Sequence, residues 1–83
     1  MDLKETEARL DAILVGAEGW LPPEQLAEMR GLVAAGEPGI ALENFCTQLE
    51  EFDVVIPADV VNELIGLAAG MGMTLSPWID SRA

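Results

Sequence analysis

Prolines divide this chain into four stretches of similar length, and that division constrains the fold more than any other feature. The breaks fall at residues 16–23, 36–38, 53–57 and 70–77, and each contains at least one proline. Proline lacks a backbone N–H and clashes with the preceding helical turn, so no helix continues through these positions. Between the breaks, apolar residues recur every three or four positions, which is typical of amphipathic α-helices.

The sequence therefore predicts an all-α fold, a small four-helix domain with helices over about residues 2–15, 23–35, 38–52 and 57–71. The first predicted helix carries an apolar stripe of Leu3, Leu10, Ile13 and Leu14, with Thr6 on the same face. The second carries Leu26, Met29, Leu32 and Val33. Pro23 suits the first turn of a helix, and Gly36 suits the position just after its end.

The third and fourth predicted helices have the strongest apolar faces. In the third, apolar residues repeat at spacings of three, four and three, at Leu42, Phe45, Leu49 and Phe52, with Cys46 beside them. These five side chains fill an arc of roughly 120° at 100° per residue. The apolar arc of the fourth helix is wider, roughly 160°, so we expect this helix to be the most buried.

Two segments lie outside the predicted helices. The connector "DVVIP" has no partner strand elsewhere in the chain, so we interpret it as extended and packed on the bundle. The tail, residues 73–83, contains Pro77 and is predicted to be non-helical, with Leu75, Trp78 and Ile79 folding back over the core. For Trp78 we favour a role in covering the end of the core over a binding role.

Size and residue types limit the stabilising chemistry. Eighty-three residues, 51% of them hydrophobic, are enough for one globular domain spanning residues 1–83. A single cysteine excludes an internal disulfide, and without histidine we expect no structural metal site and no cofactor. No apolar run approaches the roughly 18 residues that cross a bilayer, and the N-terminus "MDLKETEARL" lacks a signal segment. We therefore expect a cytoplasmic protein.

The net charge is −11, from fifteen acidic and four basic residues. Such a charge disfavours binding to nucleic acid or to anionic membranes, because both are negatively charged. It favours encounter with basic proteins. Solubility alone is the alternative explanation for the excess of acids.

Catalysis is not expected, so we predict that the chain is not an enzyme. A serine or cysteine nucleophile needs a neighbouring base, and the chain has no histidine. Both serines lie in the tail, and Cys46 lies on an apolar stripe, where a thiol is usually inert. No glycine-rich phosphate loop or calcium loop is present. An acyl carrier protein is excluded, because residues 16–25 contain no serine to carry the prosthetic group.

Three carboxylates, Glu50, Glu51 and Asp53, crowd the end of the third predicted helix. That end of a helix carries partial negative charge, so an exposed carboxylate there costs up to about 1 kcal/mol. Glu43 lies two turns earlier on the same flank as Glu50, roughly 10 Å away along the helix axis. The third and fourth predicted helices contain no lysine or arginine.

Two of these acids, Asp53 and Glu43, have a structural alternative to partner binding. Asp53 is expected to accept backbone N–H groups in the turn that follows. Pairing of Glu43 with Arg30, in the second helix, is a further alternative. For Glu50 and Glu51 the residue pattern leaves two interpretations open, a solvated surface or a contact with a cationic partner.

Residues 32–73, about half of the chain, follow a recognisable pattern. A helix ends in Gly-Glu, the next reads Ala-Leu-Glu and then Gln-Leu and Glu-x-Asp, and a last helix ends near Met-Gly. The matching residues are Gly36, Glu37, Ala41, Leu42, Glu43, Gln48, Leu49, Glu51, Asp53, Met71 and Gly72. In this pattern the chain resembles the MafI family of immunity proteins from bacterial polymorphic-toxin systems. It departs at Ile56, where the family is expected to have serine or threonine before the proline.

The resemblance implies a protein that binds and neutralises a cognate toxin made by the same cell. Many such toxins are nucleases with cationic grooves, so the expected partner is a basic toxin domain, bound through Glu43, Glu50, Glu51 and Asp53. Membrane and nucleic acid are not expected partners, and homodimerisation stays open. The alternative is an acidic helical adaptor or homodimerisation domain without a toxin partner, in which Trp20, Leu21, Trp78 and Ile79 would matter more.

Overall fold

A computed structural model describes residues 2–82 and contains five helices, numbered in chain order. They are α1 (Leu3–Gly16), α2 (Pro23–Ala34), α3 (Pro38–Glu51), α4 (Ala58–Gly70) and α5 (Pro77–Asp80). The all-α class is confirmed, and the described residues form no strand. The four long helices begin and end within one residue of their predicted bounds, and proline or glycine marks most of these ends.

Helix α3 is the centre of the domain. It packs against each of the other four helices, whereas α2 and α4 do not contact each other. Six of its residues are buried: Pro38, Ala41, Leu42, Phe45, Cys46 and Leu49. Helix α4 buries four: Val61, Leu64, Leu67 and Ala68. The expectation that α4 is the most buried helix is therefore wrong, because neighbours surround α3 on more sides.

One hydrophobic core joins all five helices. Its fully enclosed side chains include Leu10 of α1, Met29 of α2, Phe45 of α3, Leu64 of α4 and Ile79 of α5, each 2% exposed or less. The predicted stripes supply most of this core. Leu3 is an exception at 58% exposed, because it is the first residue of α1 and no neighbouring helix covers it.

Three helices end in the same way. The residue after the helix cap is left-handed, with φ of 81° at Gly36, 49° at Asp53 and 69° at Gly72. In each case the next N–H donates to a carbonyl five residues back, at 2.9 Å after α2, 3.0 Å after α3 and 2.8 Å after α4. This Schellman geometry satisfies carbonyls that a helix end leaves without partners. Asp53 is the one described residue other than glycine that has positive φ.

The tail folds back over the core as predicted, but part of it is helical. Pro77–Asp80 forms one turn, α5, because proline suits the first helical position. Ile79 is fully buried, and Trp78 packs partly buried against the core. The guanidinium of Arg82 lies 3.5 Å from the centre of the Trp78 ring and donates to the Trp78 carbonyl at 3.0 Å. These contacts agree with a core-covering role for Trp78.

Candidate functional site

The four acids predicted from the sequence, which we call the α3 acidic surface, are Glu43, Glu50, Glu51 and Asp53. All four are exposed. Glu43 and Glu50 line one wall of a groove of about 130 Å³, together with Thr47 and Cys46. The opposite wall is the segment 73–76 that leads to α5. The structure therefore brings Glu43 and Glu50 to one groove, since seven residues are close to two helical turns.

Glu51 and Asp53 do not line this groove. Glu51 is the last residue of α3, and Asp53 follows the helix cap with left-handed backbone. The α3 acidic surface thus extends from a groove on one side of α3 to the end of the helix. It is a surface of dispersed charge rather than a single pocket.

Two of the four basic side chains, Arg9 and Arg30, pair with acids outside the α3 acidic surface. Arg30 donates two hydrogen bonds to Asp11, at 2.8 and 3.2 Å, and this interaction raises the pKa of the guanidinium. The alternative pairing of Arg30 with Glu43 is therefore wrong, because α1 packs against α2 and brings Asp11 to Arg30. Arg9 pairs with Glu5 within α1, at 3.0 Å.

Within residues 2–82, Asp53 is the one member of the α3 acidic surface that has a cationic partner. Its carboxylate lies 3.5 Å from a guanidinium nitrogen of Arg82, and its side chain remains 83% exposed. Glu43, Glu50 and Glu51 form no ion pair with any described residue. These three carboxylates can therefore interact with water or with another molecule.

The structure gives Asp53 a different local role from the one expected. No backbone N–H among the described residues donates to its carboxylate. Instead, Asp53 occupies the left-handed position that ends α3. Aspartate adopts this conformation more readily than most residues, although less readily than glycine. The aspartate of the Glu-x-Asp pattern therefore has a structural reason to be present.

We expect Asp53→Gly to stabilise the protein by about 1 kcal/mol, because it removes both left-handed strain and a carboxylate at a helix C-terminus. The exposed pair with Arg82 contributes little that would be lost. Asp53→Ala is the matched control, since it removes the charge and keeps the strain. Urea unfolding followed by circular dichroism measures both variants. Equal stability of the glycine and alanine variants would contradict the left-handed conformation at this position.

Two exposed apolar side chains lie among these acids, and we call them the apolar pair, Phe52 and Val55. Phe52 is 52% exposed, so its prediction as part of the buried stripe is wrong. Helix α3 ends at Glu51, so Phe52 is the cap residue just beyond the helix, and the chain turns at the next residue, Asp53. Val55 is 91% exposed.

From Val54 to Ile56 the connector alternates in burial as an extended segment does, but Asp53 is left-handed rather than extended, and only part of the connector is packed. Ile56 is 8% exposed and joins the core, while Val54 is half-buried against it. Side chains of an extended segment alternate between faces, so burial of Ile56 directs Val55 outward. This alternation is the sequence signal that could have identified Val55 as exposed.

Cys46, which lines the groove, is a buried thiol. Burial raises its pKa to about 12, so the thiol is protonated and a poor nucleophile at neutral pH. The described residues contain no group of three or more histidine, cysteine or acidic side chains placed to hold a metal ion. None of the helices within residues 2–82 is long and apolar enough to span a membrane.

Comparisons with protein-family models, with curated proteins and with solved structures find no match to this chain. We therefore infer the chemistry of the site from its own residues. Exposed carboxylates with few internal cations attract a positively charged surface, and an exposed aromatic side chain beside them offers apolar contact.

Proposed function

We propose that this protein is an immunity protein that binds and neutralises a cognate bacterial toxin. It covers a basic active-site groove, such as that of a nuclease, with the α3 acidic surface. One observation carries the proposal: Glu43, Glu50 and Glu51 are exposed and have no ion-pair partner within residues 2–82. The resemblance of residues 32–73 to the MafI family supports the choice of a toxin as partner. Because the toxin is made by the same cell, the proposed site of action is the cytoplasm.

Electrostatics and exclusion of substrate would act together in this inhibition. A nuclease groove holds phosphates with lysine and arginine, and the carboxylates of α3 offer the same sign of charge as the phosphates. Complementary charge raises the association rate, because attraction acts over about 10 Å at ordinary salt. Once bound, the helical domain physically blocks the groove, so neutralisation needs no catalytic residue on this chain.

Coexpression with the C-terminal domain encoded by the neighbouring upstream gene tests the proposal. We expect the wild-type protein to restore growth and to copurify with that domain. Glu50→Lys combined with Glu51→Lys should raise the Kd by about 10- to 100-fold, equivalent to about 1.4–2.8 kcal/mol. Binding of the wild type should also weaken as salt rises.

The matched control is Glu28→Lys combined with Glu63→Lys. These acids are exposed on α2 and α4, outside the α3 acidic surface, and the substitution changes the net charge by the same amount. We expect the control to bind nearly as well as the wild type. An equal loss in both variants would indicate a net-charge effect and contradict the assigned surface. Failure of the wild type to bind or to restore growth would contradict the immunity function.

The structure weakens part of the alternative, an adaptor or homodimerisation domain. Of the side chains that it would use, Leu21 is 5% exposed and Ile79 is fully buried. Trp20 and Trp78 are partly buried against the core. Sedimentation of the isolated protein over a range of concentrations tests this alternative directly.

A further inference from the structure

We infer that the apolar pair, Phe52 and Val55, is the anchor of the interface and inserts into a hydrophobic pocket that lysine and arginine side chains surround on the partner. This inference rests on the proposed function for the identity of the partner. It specifies the chemistry of the partner's surface and assigns different roles to two sets of residues. The acids determine mainly the association rate, and the apolar pair determines mainly the dissociation rate.

The two residues of the apolar pair lie closer together in the chain than the other large exposed hydrophobic residues do. Leu3 and Val15 lie at opposite ends of α1, and Ile40 lies in the first turn of α3. Phe52 and Val55 are three residues apart at one chain reversal. Aromatic residues buried at the centre of an interface supply a disproportionate share of binding energy, particularly within a polar rim.

The fold holds this pair in place before any partner binds. On one side, the N–H of Val54 donates to the carbonyl of Leu49 at 3.0 Å, which fixes the end of α3. On the other side, Ile56 is buried in the core and precedes Pro57, which restricts its backbone to extended conformations. A segment fixed at both ends loses little conformational entropy on binding, so more of the contact energy appears as affinity.

The backbone of Val55 is also available to a partner. Neither its N–H nor its carbonyl makes a hydrogen bond to another described residue. An extended segment with such groups can form main-chain hydrogen bonds across an interface, as in strand addition to a peptide. Side-chain insertion and main-chain bonding are therefore compatible at the same residue.

The negative charge around the apolar pair favours a cationic partner over a second copy of this chain. Glu50, Glu51 and Asp53 flank the apolar pair, and residues 31–81 contain no lysine or arginine. A second copy of this chain joined through a two-fold axis would bring the same carboxylates together, and like charges across an interface are costly. The occupant is therefore a cationic protein surface with an apolar pocket.

Binding kinetics to a catalytically inactive form of the upstream-encoded toxin domain test the inference. We expect Phe52→Ala combined with Val55→Ala to raise the Kd at least about 30-fold, mainly through faster dissociation. Glu50→Lys with Glu51→Lys should instead act mainly on association and on the salt dependence. The control is Leu3→Ala with Val15→Ala, which removes similar exposed side chains from α1. Unchanged binding of the Phe52/Val55 variant, with the wild type bound, would overturn the inference and leave the immunity function intact.

If the wild type does not bind the toxin domain, that result contradicts the immunity function but not the inference about the apolar pair. A second probe then tests the inference. The probe is an amphipathic lysine–leucine peptide, compared with a lysine-only peptide of equal charge. We expect the mixed peptide to bind at least about 10-fold tighter and to shift amide NMR signals at residues 50–56, a preference that the Phe52/Val55 variant loses. Equal binding of both peptides would overturn the inference. A dimer formed by the wild type and lost in the Phe52/Val55 variant would also overturn it.

Discussion

Phe45→Ala is expected to reduce the free energy of unfolding by about 3–5 kcal/mol, more than truncation of any exposed side chain of this domain should. Phe45 is fully buried on α3, the helix that contacts all the others. Truncation removes a large apolar contact and leaves a cavity that five packed helices cannot fully close. A domain of this size has a total stability of about 4–12 kcal/mol, at 0.05–0.15 kcal/mol per residue. At the lower end of this range of total stability, the variant is expected to be unfolded at 37 °C.

The same chain supplies a closely matched control. Phe52→Ala makes the identical chemical change at the end of the same helix, where the side chain is 52% exposed. We expect it to cost less than about 1 kcal/mol, because half of the ring is already in water. Urea unfolding followed by circular dichroism measures both variants. Similar losses at the two positions would show that α3 does not pack as described.

Ile79→Ala should release the tail, because it is expected to weaken the docking of α5 onto the domain by about 2–4 kcal/mol. Ile79 is fully buried, and it is the only residue of α5 that is. A single helical turn is not stable alone, so α5 persists only while it packs on α3 and α4. We expect the tail to detach before the rest of the domain unfolds.

Tryptophan fluorescence can follow this detachment. In a Trp20→Phe background Trp78 is the one remaining tryptophan, and its emission should shift to longer wavelength in the Ile79→Ala variant as water reaches the ring. Asp80→Ala is the control, because Asp80 is exposed in the same turn and should change stability by no more than about 0.5 kcal/mol. If Ile79→Ala and Asp80→Ala gave the same emission, docking of α5 through Ile79 would be contradicted.

The helical fold was predictable because its signals are local. Proline or glycine marks the ends of α1, α2 and α4, and the period of apolar residues identifies the faces that pack. The errors occur where tertiary structure decides. Phe52 fits the apolar period of α3, yet it lies just beyond the last residue of the helix and is 52% exposed. The turn α5 was missed because four residues are too few to show a period.

The candidate site was predictable in composition and less so in arrangement. Helical spacing correctly placed Glu43 and Glu50 on one side of α3, where they share a groove. The partner of Arg30 depends on how α1 packs against α2, which no local pattern specifies, so its pairing with Asp11 was missed. The apolar pair was missed because burial was inferred from residue type. Exposure of Val55 follows from the alternation of an extended segment whose next residue, Ile56, is buried.

The contact between Arg82 and Asp53 has a practical consequence for handling the protein. Because these two side chains lie 3.5 Å apart, Arg82 lies next to the end of α3, close to where a C-terminal fusion would be attached. An affinity tag or fluorescent protein fused at that position would block access to the acids and the apolar pair. A histidine tag would also add positive charge there in mild acid. Helix α1 makes no contact with α5, so labels for binding measurements belong at the amino end of the chain.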